Sequence, residues 1–413
     1  MKKNIFIAIS ILCCTILAMA LIQKKDPLKD NFSVAAKRYT TLLQTATDLT
    51  KYPHSINKDG TLAYYPIEEW TGGFWPGILW YMYEFTGEQK WKTAATTWTE
   101  SLESNQFNTA HHDIGFMMYC SYGNALRFNN NTAYRAILVQ SAKSLCKRYA
   151  PVVGSIQSWN PRKSKGEKHQ WNYPVIMDNM MNLELLFYAA KTTGDTAFSH
   201  IAVRHAETTM KNHLRPDNSS YHVVNYDPVT GNVLHRQTLQ GFSDNSTWAR
   251  GQAWGIYGFT TCYRETKDPR FLRTACNMAD FFLDHPNLPA DKVPFWDFNA
   301  GQPGFVPDWQ FDPKKYVPVP RDASAAAITC SALFELAGYV NAEQSKKYLD
   351  AAQKIMLSLS SSTYLNKEGA NPFFLLKHSV GNLPSDREVD VPLIYADYYF
   401  IEAMLRYKKL KQK

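Results

Sequence analysis

Residues 179–213 read NMMNLELLFYAAKTTGDTAFSHIAVRHAETTMKNH. Asn179 to Thr192 is apolar on most faces, the mark of a helix surrounded by protein. Thr193-Gly194-Asp195-Thr196-Ala197-Phe198 is a tight turn, and Phe198 to His213 is a helix apolar on one side only. An inner helix, a short turn and an outer helix therefore follow one another within 35 residues.

The unit recurs along the chain. Phe74 to Phe85, Ile114 to Phe128, Trp248 to Glu265 and Ser324 to Tyr339 have the buried pattern. Thr93 to Glu103, Ala133 to Arg148, Phe271 to Asp284 and Lys346 to Ser358 have the one-sided one. The turns also resemble each other: Phe85-Thr86-Gly87-Glu88-Gln89-Lys90-Trp91 and Thr266-Lys267-Asp268-Pro269-Arg270-Phe271 match the first, with looser copies at Phe128 to Tyr134 and Gly338 to Tyr348. Glycine or asparagine tends to end the inner helix and an aromatic to start the outer one. With the segment before Pro53 and the C-terminal Tyr395 to Tyr407, about six hairpins fit. The sequence thus predicts an all-α ring, an α/α toroid, over residues 30–410 as one domain. The long inserts fall between an outer helix and the next inner one, so they gather at one end and build one mouth. Tyr221 to Gln237 holds Asp227-Pro228-Val229-Thr230-Gly231 and predicts a β-hairpin. His285 to Arg321, with eight prolines, predicts a long irregular loop.

Composition narrows the function. The formal net charge is +8 over 413 residues, without the long Lys/Arg block of a nucleic-acid binder. The 11 Trp, 24 Tyr and 22 Phe mostly serve a core, but in a cleft such rings stack on sugars. Lys2 and Lys3, the apolar run Ile5 to Leu17 and Ala18-Met19-Ala20 read as an export signal over residues 1–20. A lipid anchor on Cys13 or Cys14 is the alternative, although Leu12 and Cys13 fit poorly before the modified cysteine. The expected location is the bacterial periplasm, with no membrane span in the mature chain. Cys120, Cys146, Cys262, Cys276 and Cys330 lie mostly in apolar helical runs and read as core thiols. No CxxC or HExxH spacing supports a metal.

Four polar segments stand just before inner helices: His111-His112-Asp113, Met177-Asp178, Ser243-Asp244-Asn245-Ser246 and Arg321-Asp322. Each position can be a helix cap or, since all these starts point into one mouth, part of a site. Asp113 and Asp178 are the candidate carboxylate pair. Acid/base work needs one of them to hold a proton near neutral pH, which a second carboxylate and a dry aromatic wall would favour. Trp171 and Tyr173 are the aromatic company of Asp178 in sequence. Of His111 and His112, one can meet a ligand and the other is structural. Gln240, Trp248 and Arg250 form a further cluster, where Arg250 needs a core aspartate or a substrate carboxylate. His222 lies on the hairpin, and Trp70-Thr71-Gly72-Gly73-Phe74-Trp75-Pro76-Gly77 offers rings that could floor a sugar subsite.

WTGGFWPG at Trp70, HHDIGF at His111, MDNMMNLELL at Met177, QGFSDNSTWARGQAWGIYG at Gln240, RDASAAA at Arg321 and ADYYFIEAMLR at Ala396 occur in this order. Together, over roughly residues 35–408, they resemble glycoside hydrolase family 88, the unsaturated glucuronyl hydrolases. The resemblance implies an (α/α)6 barrel. It implies hydrolysis of glycosaminoglycan fragments left by lyases, through hydration of the C4=C5 bond of the terminal uronate, with no metal or organic cofactor. By the same resemblance Asp178 is the general acid/base and Asp113 the second acid. Trp70, Phe74, His112, His222, Gln240, Trp248 and Arg250 then line the subsite of the unsaturated sugar. His378 and Ser379 lie in the region of the next sugar, with no role fixed. Two alternatives stand beside this reading: a hydrolase of pectin-derived unsaturated galacturonyl fragments, and a non-catalytic sugar-binding protein.

Overall fold

The computed structural model describes residues 27–164, 167–367, 369 and 371–412. The export signal read over residues 1–20 lies outside them. Among these residues twelve α-helices alternate between an outer and an inner ring. The outer ones are α1 (Pro27–Thr45), α3 (Gln89–Glu100), α5 (Thr132–Cys146), α7 (Thr196–Asn212), α9 (Pro269–Asp284) and α11 (Ala342–Leu359). The inner ones are α2 (Phe74–Thr86), α4 (Ile114–Met118, continued by a π turn over Tyr119–Gly123), α6 (Leu183–Thr193), α8 (Ala249–Thr266), α10 (Ala323–Leu336) and α12 (Ile394–Lys411). The fold is an (α/α)6 barrel.

The repeated turn has a local cause. Gly87 and Gly194 close their inner helices in the left-handed conformation, at φ 72° and 76°. Lys267 takes the same position at φ 59°, without a glycine. Asn131, Asp195, Asp268 and Asn341 then each accept a backbone N–H from the first turn of the next outer helix. The aromatic that follows the turn, Trp91, Phe198 or Phe271, is buried against the inner ring.

The ring closes between its first and last inner helices, α2 and α12, which pack together. Deep inside, Glu402 of α12 accepts hydrogen bonds from Tyr81 of α2 at 2.8 Å and from Tyr257 of α8 at 3.1 Å, and also from Ser331 of α10. Gly258 of α8 lets that helix lie against the Met180 backbone, where an added Cβ would stand 2.5 Å from the Met180 Cβ.

The mouth is built by small strands and loops. The expected hairpin forms β2 (Val223–Tyr226) and β3 (Val233–Gln237), and β1 (Tyr173–Ile176) joins it as a third antiparallel strand. A further hairpin, β4 (Ser379–Asn382) with β5 (Arg387–Val391), goes beyond the sequence reading. The long loop before Arg321 contains no helix or strand and supports the start of α8: Trp296 carbonyl accepts Ala249 N–H at 3.1 Å, and Phe298 N–H reaches Thr247 carbonyl at 2.9 Å. No helix among the described residues is long and apolar enough to cross a membrane.

Candidate active site

Asp113 immediately precedes α4, yet its side chain caps no helix N–H. Its carboxylate is instead bracketed by two imidazoles, with Oδ2 3.2 Å from His111 Nδ1 and Oδ1 3.3 Å from His112 Nε2. Asp178 is not at a cap either. The chain enters the third inner helix through a 3-10 turn over Met177–Asn182, and Asp178 lies inside it. Its Oδ2 is buried without a hydrogen-bond partner, 4.0 Å from His222 Nε2. Asp322 is the true cap of the set, accepting Ser324 N–H at 3.0 Å.

The two carboxyls line one cavity of about 80 Å³. Trp70, His112, Gln240 and Arg250 share its wall, as do Trp159 and Ile176. His222 and Trp248 stand directly behind, their rings 4.4 Å apart. Phe74 is fully buried under Trp70, 5.7 Å away and edge-on. Trp159, which sequence reading passed over, shares the cavity wall with Asp178. Trp171 is turned into the scaffold, its Nε1 donating to Gln237 at 2.7 Å, and the Tyr173 hydroxyl donates to the Arg148 and Ser155 carbonyls.

Burial and neighbouring charges move the two acids apart. Burial raises Asp178 to about 7, with the Asp113 carboxylate adding to the rise and Arg250 opposing it. Burial also works against an ionised Asp113, but the flanking histidines and Arg148 more than offset it, so Asp113 lies below its ordinary value. Asp397 reaches about 7 by burial as well. Its oxygens, however, are taken by Leu375 and Leu376 N–H at 2.7 and 2.8 Å and by the Tyr39 hydroxyl, so it fastens a loop. Asp178 combines a raised value with a buried oxygen that has no hydrogen-bond partner, on a cavity wall.

His112 and His222 are neutral donors of fixed tautomer. Asn182 accepts Phe116 N–H on Oδ1 at 2.9 Å, which turns its Nδ2 toward His112 Nδ1 at 3.3 Å. His112 must then carry its proton on Nε2, facing Asp113. His222 Nδ1 accepts the N–H groups of Leu239 and Gln240 at 3.1 and 3.2 Å, leaving Nε2–H toward Asp178. Burial lowers His112 to about 4 and His222 to about 3, so neither is a cation near neutral pH.

Arg250 finds the core aspartate. Its Nη1 donates to Asp322 Oδ2 at 3.1 Å and to the Val380 carbonyl, and Nη2 donates to the Gly381 carbonyl at 2.7 Å. Gln240 Nε2 reaches the same Gly381 carbonyl at 3.0 Å. The Arg250 Nε is buried without a partner. Gly251, beside it, is needed for the Trp248 ring, whose Cε3 would lie 2.7 Å from an added Cβ.

A wall with one proton-holding carboxyl, one ionised carboxylate, neutral N–H donors and a tryptophan suits acid/base chemistry on a sugar ring. Comparison with known proteins agrees. Residues 46–267 match the family model described as Glycosyl Hydrolase Family 88. An unsaturated glucuronyl hydrolase of Formosa agariphila is 43% identical over 390 residues, spanning 94% of this chain and 92% of that protein. An unsaturated chondroitin disaccharide hydrolase of Streptococcus pyogenes serotype M1 is 33% identical, over 87% of this chain and 86% of its own length. The crystal structure of an unsaturated glucuronyl hydrolase specific for heparin aligns with a TM-score of 0.86 at 43% identity, over 94% of this chain and 98% of that one. The chain therefore belongs to glycosyl hydrolase family 88.

Proposed function

We propose that this glycoside hydrolase releases the non-reducing-end 4,5-unsaturated uronic acid from glycosaminoglycan oligosaccharides, and that it acts after export to the periplasm. The observation that carries the reading is Asp178: buried, free on Oδ2, holding its proton up to about pH 7, on the same cavity wall as the ionised Asp113. The relatives that act on unsaturated glucuronyl, chondroitin and heparin fragments support the substrate class.

Asp178 gives its proton to C4 of the C4=C5 bond. Positive charge develops at C5 and on the ring oxygen, and the Asp113 carboxylate offsets it. The Asp178 carboxylate then takes a proton from water as the hydroxyl bonds to C5. The hemiketal so formed opens to a keto uronate and frees the next sugar. One water is consumed, the acid is regenerated, and the step balances without a cofactor. Trp70, Trp159 and Trp248 confine the ring, Phe74 backs Trp70, and His112, His222, Gln240 and Arg250 hold its polar groups.

The test is ultraviolet absorbance of the conjugated double bond, with unsaturated disaccharides from chondroitin, hyaluronan and heparin. Turnover makes absorbance fall. Asp178→Asn is expected to lose at least ~10²-fold in rate while ligand still binds. Near-native activity in that variant removes Asp178 from the mechanism, and turnover confined to unsaturated galacturonyl fragments moves the substrate to pectin. Fractionation of the tagged full chain checks export, and retention in the cytoplasm refutes it.

A further inference from the structure

His111 is left over by this chemistry, although it touches Asp113. Its Nε2 lies 3.0 Å from the Glu68 carbonyl, which can only accept, so Nε2 carries a proton. Nδ1 has two partners at the same 3.2 Å: the Asp113 backbone N–H, which donates, and Asp113 Oδ2, which accepts. An unprotonated Nδ1 can serve only the first and a protonated Nδ1 only the second. The bridge between His111 and Trp159 fixes the backbone that carries the ring.

We propose that His111 is a positioning residue: as a cation it grips the Asp113 carboxylate and keeps it ionised, and as a neutral ring it turns to the Asp113 amide and releases it. The proposal rests on the assignment of Asp113 and Asp178 as the reacting pair. Two observations support it besides the geometry. Burial disfavours the cation, but Asp113 and the Glu68 carbonyl outweigh it and hold His111 above its ordinary value. The other groups facing the ring do not mimic Asp113: the Asn108 amide is 3.4 Å from Nε2, His112 is neutral, and Arg148 repels the proton. Arg148 itself donates to the Thr109 carbonyl and to Asn160, steadying the loops on both sides of His111.

The experiment has two arms. His111→Gln retains a group to meet the Glu68 carbonyl and has nothing at Nδ1. The pH profile of kcat should then keep its alkaline limb, set by Asp178, while the acid limb moves up by about 1 to 3 pH units, the size of effect an adjacent cation exerts on a carboxylate. A purely structural His111 would lower kcat at every pH and leave the acid limb in place, which overturns the proposal. The second arm needs no turnover. With ¹³C-labelled histidine, the His111 resonance should titrate above the ordinary imidazole range in the wild type and drop by at least about 1 pH unit in Asp113→Asn. An unchanged His111 titration overturns the proposal even if His111→Gln does not fold. Failure of the underlying assignment looks different, because Asp178→Asn would stay active whatever His111 does.

Discussion

Asp178→Asn should stabilise the protein as it silences it, and the gain should grow with pH. In the fold the carboxyl releases its proton near pH 7, against 3.8 in an exposed aspartate. Between those values the unfolded chain has released a proton that the folded chain retains. The unfolded state binds fewer protons, so wild-type stability falls as pH rises through this window. The full fall is about 4 kcal/mol, at roughly 1.36 kcal/mol for each pH unit of separation. Asparagine has no such proton. It also brings an amide to the place of the unpartnered Oδ2, but that effect is the same at every pH. Urea unfolding of both proteins, followed by tryptophan fluorescence from pH 5 to pH 8, isolates the pH-dependent part, more than half of which develops there. The asparagine variant should gain on the wild type up to about pH 7 and level off above it. A difference that stays flat, or that shrinks as pH rises, would mean that Asp178 does not hold its proton in the fold, and the proposed acid would be lost with it.

The same raised value sets the alkaline limb of turnover: kcat/KM should drop about tenfold per pH unit above about 7, and a plateau up to pH 9 would contradict it. Trp159→Ala removes a wall of the cavity and should raise KM about 2- to 10-fold, as expected for one lost aromatic contact, with the unfolding midpoint nearly unchanged because the ring is only half-buried. Asp322→Ala strands the guanidinium of Arg250, itself only 1% exposed, and should cost about 3 to 5 kcal/mol in urea unfolding; a loss under 1 kcal/mol would show that the Val380 and Gly381 carbonyls suffice.

The ring was legible because its signals are local. Helical periodicity separates inner from outer helices within a single hairpin, and the turns repeat a glycine or asparagine stop that needs no distant partner. Lys267 shows the limit: it adopts the left-handed stop without any residue preference announcing it. The carboxylates were legible as residues but not as an environment. The helix start was placed at Asn179, whereas the 3-10 turn begins at Met177 and so lifts Asp178 out of the capping position. Trp159 was missed because it sits in an irregular stretch with no periodicity. What fixes it is long-range: the bridge to His111, and the Arg162 guanidinium 4.9 Å over its ring. Two further acceptors of Arg250 were invisible for a stronger reason. They are backbone carbonyls 130 and 131 residues further on, and every residue type has one.

The donors around Asp178 follow one rule. A cation next to Asp178 would draw its proton off, and an acceptor alone could not orient a sugar hydroxyl. Neutral N–H groups satisfy both demands. His112 and His222 become such groups through two physical causes: burial removes the charge, and a donor fixed on Nδ1 forces the proton to Nε2. In the proposed mechanism Asn182 and the N–H groups of Leu239 and Gln240 therefore matter to the chemistry without touching a substrate. The exception is Arg250, which is permanently charged. Its charge is answered within the fold by Asp322 and two carbonyls, and it still lowers Asp178 less than burial and Asp113 raise it. Loosening Arg250 from Asp322 would let that charge act on Asp178, so Asp322→Asn should move the alkaline limb of turnover to lower pH, while a limb that moves up or stays would place the control of Asp178 elsewhere.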